Sequence, residues 1–246
     1  MAAENFSATA KIRTSLNPFF GLFMLVSFCQ LANTGCKKQS SHQHIVGNMT
    51  QQKNNLQDTT LTDTFQDYTN RTIWQKPDLV MRKMGDISQK VIADIGSGTG
   101  YFAFRLAVRA RKVIAIDIDQ EVLDTLQRYI PKLPEPFRKH IETRLAKTDN
   151  PMLRPGEADI VIIINTIAYI PNLQSYLTTL RKGMKRGAEI MIVDYKMKRL
   201  PISAPPRSER IYLDVLEDTL EKAGFKLTQS DDTSLDYQYI LKALNP

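Results

Sequence analysis

Short apolar runs alternate with amphipathic segments along this 246-residue chain from about residue 65 to its end. The clearest apolar runs are residues 91–95, 113–117, 158–165 and 189–194. They are rich in β-branched residues and too short for buried helices, so they are predicted to be strands. A strand that is apolar on both faces needs cover on both faces, which helices between parallel strands provide. The alternation therefore predicts an α/β fold: a doubly wound, mostly parallel sheet with helices on both faces.

Amphipathic helices are expected between and after these strands. They are predicted at residues 101–109, 120–130, 173–184 and 208–223. In the last of these helices, Ile211, Val215 and Leu220 are predicted to face inward, and Gly224 ends the helix. In the helix at 120–130, the predicted inward face includes Tyr129.

Further strands complete the predicted sheet. One is predicted at residues 142–146, and two more, at 225–228 and 237–243, close the chain without a helix between them. Adjacent strands with a short connection are normally antiparallel, so the end of the chain is predicted to form an antiparallel pair. Doubly wound sheets bind ligands beyond the carboxyl ends of their strands, at the point where the strand order reverses. The carboxyl end of the first strand is therefore the predicted ligand site.

A glycine-rich loop, residues 94–101 (Asp-Ile-Gly-Ser-Gly-Thr-Gly-Tyr), follows that first strand. Three alternating glycines let the backbone turn tightly and approach a ligand without a clash at Cβ. A dinucleotide-binding fingerprint needs its third glycine at position 101, which is Tyr101 here. A phosphate-gripping P-loop needs Gly-Lys followed by Ser or Thr, a triplet that the sequence lacks. The loop therefore favours a ligand other than a pyrophosphate.

Two acidic residues beside the loop indicate the chemistry of that ligand. Asp94 would repel a pyrophosphate but suits a cationic ligand, such as a sulfonium cofactor that carries an ammonium group. Asp117 ends the second strand, where a carboxylate can accept hydrogen bonds from both hydroxyls of a ribose. Asp119 is predicted to cap the helix that begins at residue 120, which leaves Asp117 to the ligand.

The segment from Asp94 to Gly100, together with Asp117, the element order and the closing strand pair, resembles the class I S-adenosylmethionine-dependent methyltransferases. The resemblance covers roughly residues 65–245. It implies a seven-stranded sheet of order 3-2-1-4-5-7-6 whose last strand is antiparallel, with S-adenosylmethionine as the cofactor. The implied reaction is methyl transfer by in-line displacement to an unidentified small-molecule or protein acceptor.

The resemblance also implies roles for individual residues. The implied cofactor contacts are Asp94, Gly96, Ser97, Gly98, Gly100, Asp117, Ile118, Asp149 and Asn165. Asp94 would hold the amino group, Ile118 would pack on the adenine face, and Asp149 would bond the adenine amino group. Asn165 would lie near the transferable methyl group, and Asn165 and Tyr169 are the candidate catalytic residues. No metal site is predicted.

The segment before the first strand, residues 71–77, resembles the lid helix of small-molecule and protein methyltransferases. Trp74, the single tryptophan, is expected either in that lid or in ordinary core packing. Residues 165–169 contain no histidine, which disfavours base-catalysed O-methylation, whereas N- or S-methylation needs less help from a base.

Two other functions stay open at this level. One is a membrane-anchored protein that binds the cofactor without catalysis, and the other is a nicotinamide-dependent oxidoreductase, which Tyr101 disfavours. Nucleic acid is not expected as a partner, although the net charge is +7. Cations such as Arg105, Arg109, Lys182 and Lys185 are dispersed over helix faces and turns, where solvated charge is usual.

The N-terminal region is predicted to consist of a targeting segment and a linker. Residues 1–36 are predicted to be a signal peptide or membrane anchor, because an apolar run ends shortly before Cys36 as in a bacterial lipoprotein signal. The expectation is a membrane-associated lipoprotein with the lipid on Cys36, or alternatively an uncleaved anchor. Residues 37–64 are polar without a hydrophobic period and are predicted to be a disordered linker, and residues 65–246 form the methyltransferase-like domain.

Overall fold

A computed structural model describes residues 70–246, so the predicted signal or anchor, Cys36 and the linker lie outside the described residues. The strands are β1 (Val91–Ile95), β2 (Lys112–Asp117), β3 (Ile141–Leu145), β4 (Ala158–Ile164), β5 (Met184–Tyr195), β6 (Lys226–Asp231) and β7 (Gln238–Leu244). The helices are α1 (70–75), α2 (Pro77–Arg82), α3 (Ala103–Ala107), α4 (Gln120–Tyr129), α5 (Glu135–Arg138), α6 (Leu173–Gly183) and α7 (Leu213–Lys222).

The strands form one seven-stranded sheet of order β3-β2-β1-β4-β5-β7-β6. The first five strands pair in parallel, and β7 is antiparallel to both β5 and β6. The predicted fold class and strand order are therefore confirmed. Because the chain runs from β1 outward to β3 and then returns to β4, the switch point lies between β1 and β4, where such sheets open a crevice at their carboxyl ends.

Burial on both faces explains why the strands are apolar throughout. All five residues of β1 are buried, and they divide between two cores according to the alternation of a strand. Ala93 and Ile95 pack in the core with α6 and α7, whereas Ile92 packs in the core with α2 and α3. The helices on both faces are thus required by the sequence of the strands themselves.

The C-terminal helix is shorter than predicted and exposes a different face. Residues 207–209 form a separate 3₁₀ turn, and the helix begins only at Leu213, after Pro205 and Pro206 and an extended stretch. The prediction that Val215 faces inward is wrong, because this side chain is 52% exposed whereas Leu216 is fully buried. The predicted periodicity counted Ile211, which lies before the helix, and it therefore assigned the wrong residues to the buried face.

Several other predicted boundaries are corrected by one or more residues. The helix predicted at 101–109 is only Ala103–Ala107, because residues 101–102 belong to the turn that leaves the glycine loop. Tyr129, predicted to face inward, is 45% exposed at the last residue of α4. Strand β5 is longer than its apolar run at 189–194, since it starts at Met184 with an irregular pairing to β4.

The two helices that precede β1 form an N-terminal arm, residues 70–84. Lys76 adopts a left-handed conformation between α1 and α2 (φ 49°), and Pro77 begins α2, where its missing N–H costs nothing. The arm packs near the C-terminal hairpin, residues 226–244, through the ion pairs Lys76–Asp236 and Lys83–Asp231. Within residues 70–246, no helix combines the length and the apolar character needed to cross a membrane.

Candidate functional site

The glycine loop is built into the carboxyl end of the sheet. The backbone N–H groups of Gly96 and Ser97 donate to the carbonyl of Ile116 on β2, at 2.8 and 3.0 Å, which turns the chain away from β1. Gly96 has φ 71°, and a Cβ there would lie 2.3 Å from Oγ1 of Thr166. The loop therefore needs glycine for its conformation and for the close approach of the segment after β4.

The other two loop glycines serve different purposes. Gly100 has φ 96°, and a Cβ would lie 2.5 Å from the ring of Phe104, so this glycine allows α3 to pack on the loop. Gly98 has φ 55°, and a Cβ there would meet nothing within 4 Å. The side of the loop above Gly98 is thus open to a ligand.

Asp117 fixes the open part of the loop from the neighbouring strand. Its Oδ2 accepts a hydrogen bond from the backbone N–H of Gly98 at 2.9 Å, and its Oδ1 accepts one from Asp119 at 3.2 Å. The side chain of Asp119 accepts from the N–H groups of Glu121 and Val122, so the predicted cap of α4 is confirmed. Each oxygen of Asp117 keeps further lone pairs with which to accept from a ligand.

Asp94 is a buried carboxylate at the end of β1. It is only 3% exposed, and its Oδ2 has no hydrogen-bond partner among the described residues. Burial raises the pKa of Asp94 to about 7, although the charge of Arg71 acts in the opposite direction, and the nearby Asp117 raises it further. A buried oxygen without a partner is costly, and a bound ammonium group would supply the missing donor and charge.

Two adjoining cavities lie at this edge of the sheet and share Gly96 and Thr166 in their walls. The first, of about 230 Å³, is mostly apolar and lies between Ile118, Thr148 and Tyr169. It has the character of a site for an aromatic ring.

The second cavity, of about 260 Å³, has a charged wall. Asp94 and Arg71 bring opposite charges to it, and Gly98 and Asn165 also line it. This combination suits a group that carries both an ammonium and a carboxylate.

Most of the predicted cofactor residues come together here. Asp94, Gly96, Ser97, Gly98 and Asn165 line the charged cavity, and Asp117 and Ile118 line the apolar one with Gly96. Gly100 lies behind the loop instead, against Phe104.

Asp149 is the predicted contact that lies apart from the others. It is exposed and does not line either cavity, whereas its neighbours Lys147 and Thr148 do. Lys147 and Asn150 pair their backbones in a tight turn that contains Thr148 and Asp149.

Arg71 is a site residue that the sequence reasoning did not single out, although it begins the predicted lid segment. Its guanidinium carbon lies 4.2 Å from the centre of the Tyr101 ring, and its Nε donates to Oε1 of Gln75 at 2.6 Å. Arg105 approaches the same ring at 3.9 Å. Tyr101, at the position that excluded a dinucleotide fingerprint, therefore supports Arg71 beside the cavity. Trp74 is half-buried, with its ring centre 5.9 Å from that of Tyr195.

The two candidate catalytic residues differ in their surroundings. Asn165 adopts a left-handed conformation (φ 57°), and its Oδ1 accepts hydrogen bonds from the side chains of Gln75 and Gln238. Tyr169 is 56% exposed at the rim of the apolar cavity. Partial burial raises the pKa of Tyr169, and Glu209 raises it further, so this phenol keeps its proton at neutral pH and is unsuited to act as a base.

The fold and the paired cavities fit an α/β protein whose ligand site, at the switch point of the sheet, suits a nucleoside-like ligand with a doubly charged tail. The family follows from the sequence. The model of a methyltransferase domain family matches residues 87–241, and the chain belongs to that family. The family and the fold support S-adenosylmethionine as the cofactor, as the sequence predicted.

Individual relatives agree with this assignment. A demethylmenaquinone methyltransferase of Lactococcus lactis is 30% identical over 129 residues, which are 50% of this chain and 48% of the relative. A ubiquinone biosynthesis O-methyltransferase of Dechloromonas aromatica is 25% identical over 43% of this chain and 44% of its own length. The chain thus spans about half the length of these curated relatives. A crystal structure of a methyltransferase from Aquifex aeolicus shares the fold, with a TM-score of 0.66 at 21% identity over 72% of this chain and 93% of that one.

Proposed function

We propose that the protein is an S-adenosylmethionine-dependent methyltransferase that acts on a small-molecule or protein acceptor. The observation that carries the proposal is the buried Oδ2 of Asp94, which lacks a partner and lines a cavity that also contains Arg71. A cationic ligand completes this site, whereas a pyrophosphate would meet a buried carboxylate.

The residues of the two cavities suit the parts of the cofactor. Asp94 would hold the ammonium group and Arg71 the carboxylate of the amino-acid end, because charge-assisted pairs of this kind are the stronger hydrogen bonds. Asp117 would accept from the ribose hydroxyls with the lone pairs that the loop leaves available. Ile118, which is 57% exposed at the apolar cavity, would cover a face of the adenine.

When bound, the cofactor would supply an activated methyl group on a sulfonium sulfur, whose carbon–sulfur bond breaks as the acceptor bonds the methyl carbon, so that the sulfur leaves as a neutral thioether. The contribution of the protein is then orientation and exclusion of water, worth up to roughly 7–11 kcal/mol in well-aligned systems. The glycine loop and Asp117 fix the nucleoside, and the arm residue Arg71 orients the tail. Tyr169 keeps its proton, so an acceptor whose nitrogen or sulfur already has an available lone pair needs the least assistance.

Titration of the purified full-length chain by calorimetry tests the cofactor assignment. We expect binding of S-adenosylmethionine and of its demethylated product S-adenosylhomocysteine, and no heat with NAD. A chain that binds NAD but neither sulfur nucleoside would overturn the proposal. Transfer itself is tested by the formation of S-adenosylhomocysteine from S-adenosylmethionine with a panel of nitrogen, sulfur and oxygen acceptors, and the Asp94→Ala variant serves as the inactive control.

We propose further that the chain is attached to a membrane through its N-terminal segment, by a lipid on Cys36 or by an uncleaved anchor in residues 1–36. The apolar run at residues 18–32 and the small polar residues before Cys36 support attachment. Mass spectrometry of the native N-terminus distinguishes the two forms. A lipidated terminus at Cys36 supports the first, an intact Met1 supports the second, and a cleaved chain without lipid contradicts both.

A further inference from the structure

Three amide side chains from distant parts of the sequence meet beneath the charged cavity. Gln75 of the arm and Gln238 of the hairpin are fully buried, and Asn165 follows β4 at the cavity wall. The Nε2 of Gln75 donates to Oδ1 of Asn165 at 3.2 Å and to Oε1 of Gln238 at 2.9 Å. The side chain of Gln238 also donates to Asn165. The cluster thus joins the arm, the hairpin and the cofactor site.

The bonds of Gln75 determine which way its amide points. Its nitrogen uses both hydrogens, toward Asn165 and Gln238, and its Oε1 accepts from Nε of Arg71 at 2.6 Å. The amide of a glutamine carries two N–H donors and one carbonyl acceptor, and all three groups form hydrogen bonds here. No residue with only donors or only acceptors can replace it at this depth without leaving a buried group unpaired.

This arrangement links the amide cluster to the ligand through Arg71. The guanidinium of Arg71 is restrained on one side by the ring of Tyr101 and on another by Gln75, and it lines the cavity that contains Asp94. A long side chain with several rotatable bonds loses entropy when it binds a ligand, and restraint before binding reduces that loss.

We propose that Gln75 is a positioning residue that holds Arg71 and Asn165 for recognition of the amino-acid end of the cofactor. The inference rests on the proposed function, since it assigns that end to the charged cavity. Gln75 has no place in the cavity wall itself and acts through its neighbours. The arm is accordingly part of the binding site by way of one buried amide.

The test compares two ligands that share the adenosine but differ in the tail. S-adenosylhomocysteine has the amino-acid end, and 5′-methylthioadenosine lacks it. For Gln75→Met in the full-length chain, we expect the preference for S-adenosylhomocysteine to fall at least about fivefold, while the affinity for 5′-methylthioadenosine stays within about twofold. Retained binding of the second ligand shows that the variant is folded.

Two further variants separate positioning from general stability. Arg71→Met is expected to reduce the same preference about tenfold or more. Arg71→Met with Gln75→Met is expected to lose less than the sum of the two single losses, because Gln75 acts on the tail in part through Arg71. Lys76→Met is the matched control on the arm: it breaks the exposed pair with Asp236 and should leave the preference unchanged. If Gln75→Met does not fold, Gln75→Asn keeps a buried amide of shorter reach and has the same expectation.

Three results would overturn the inference. They are an unchanged preference in the Gln75 variants, an equal loss of affinity for both ligands, and a loss in Lys76→Met as large as in Gln75→Met. If the wild-type protein binds neither ligand, the proposed function is overturned. If the wild-type protein binds both ligands and the variants keep the same preference, only the inference about Gln75 is overturned.

Discussion

At the scale of single residues, the role proposed for Asp94 predicts how ligand binding responds to pH. Its pKa is raised to about 7 by burial, so in the ligand-free protein near neutrality a large share of this carboxyl is protonated. An ammonium group binds the ionised form, so binding below pH 7 must release a proton. We expect the affinity for S-adenosylhomocysteine to rise between pH 5.5 and 8, by up to about tenfold per pH unit below the pKa.

Calorimetry across that pH range measures this dependence, and two asparagine variants locate it. Asp94→Asn should bind weakly with a nearly flat profile, because the titrating group is gone. Asp194 is also buried, and burial raises its pKa to about 6, but it lies outside both cavities. Asp194→Asn should therefore keep the slope, and a slope that vanishes in Asp194→Asn instead would contradict the role of Asp94.

The pair Asp117 and Asp119 separates ligand recognition from helix capping within three residues of sequence. Asp117→Ala should weaken binding of S-adenosylhomocysteine by about 1–3 kcal/mol, because ribose hydrogen bonds and the restraint on Gly98 are both lost. Asp119→Ala should leave binding nearly unchanged and lower the free energy of unfolding by about 1 kcal/mol, since it removes the cap of α4. Equal affinities for Asp117→Ala and wild type would contradict a role of Asp117 in ligand binding.

At the scale of elements, the phase of α7 gives a direct test of the packing. Leu216 is fully buried, so Leu216→Ala should lower the free energy of unfolding by about 2–5 kcal/mol. Val215 is 52% exposed, so Val215→Ala should change it by less than about 0.5 kcal/mol. Urea denaturation of both variants measures the difference. A larger loss of stability for Val215→Ala than for Leu216→Ala would support the buried face that the sequence pattern predicted.

The strands could be predicted from the sequence, whereas the buried face of α7 could not. The strands could be predicted because β1, β2 and β4 are buried on both faces, and such burial leaves a continuous apolar run. The phase of α7 could not be predicted, because the start of the helix depends on how the chain leaves Pro206. Periodicity alone does not say at which residue a helix begins.

The residues of the candidate site likewise divide into those that the sequence predicts and those that it does not. Asp94, Asp117 and the loop glycines lie at strand ends, where the topology of the sheet alone decides their position. Arg71 and Gln75 reach the site through tertiary contacts of the arm with Tyr101, Asn165 and Gln238, which no local pattern encodes. The predicted adenine contact of Asp149 stays a prediction, since this residue is exposed beside Lys147 and Thr148, which line the apolar cavity.

At the scale of the whole molecule, the carboxyl groups divide into two sets that affect stability in opposite directions. Burial raises the pKa of Asp94 to about 7 and that of Asp194 to about 6. The hydrogen bonds of Arg144 lower the pKa of Glu157 to about 2. Burial alone would raise the pKa of Asp231, but hydrogen bonds from Lys83, Ser234 and Thr233 outweigh it and lower the pKa. In the first set, Asp94 lines the charged cavity and Asp194 lies outside both cavities. The second set forms ion pairs with Arg144 and Lys83.

These shifts predict a maximum in the stability of the ligand-free protein near pH 4–5, close to the pKa of about 4 for unfolded carboxyls. From there to about pH 7 the folded state binds more protons at Asp94 and Asp194 than the unfolded state. The free energy of unfolding should therefore fall, by on the order of 5 kcal/mol. Below pH 4 the unfolded state binds more protons at the positions of Glu157 and Asp231, so stability should fall again as they are protonated.

Urea denaturation between pH 3 and pH 8, with and without S-adenosylhomocysteine, tests this profile and connects it to function. Saturating ligand should raise stability most at the neutral end, because its ammonium group stabilises the ionised form of Asp94. Asp94→Asn should remove the larger part of the neutral decline in the ligand-free protein, and Asp194→Asn the smaller part. A ligand-free stability that stays constant from pH 5 to 7.5 would contradict the raised pKa values of the buried Asp94 and Asp194. A decline that the ligand leaves untouched would instead show that the cost of burying Asp94 is unrelated to binding.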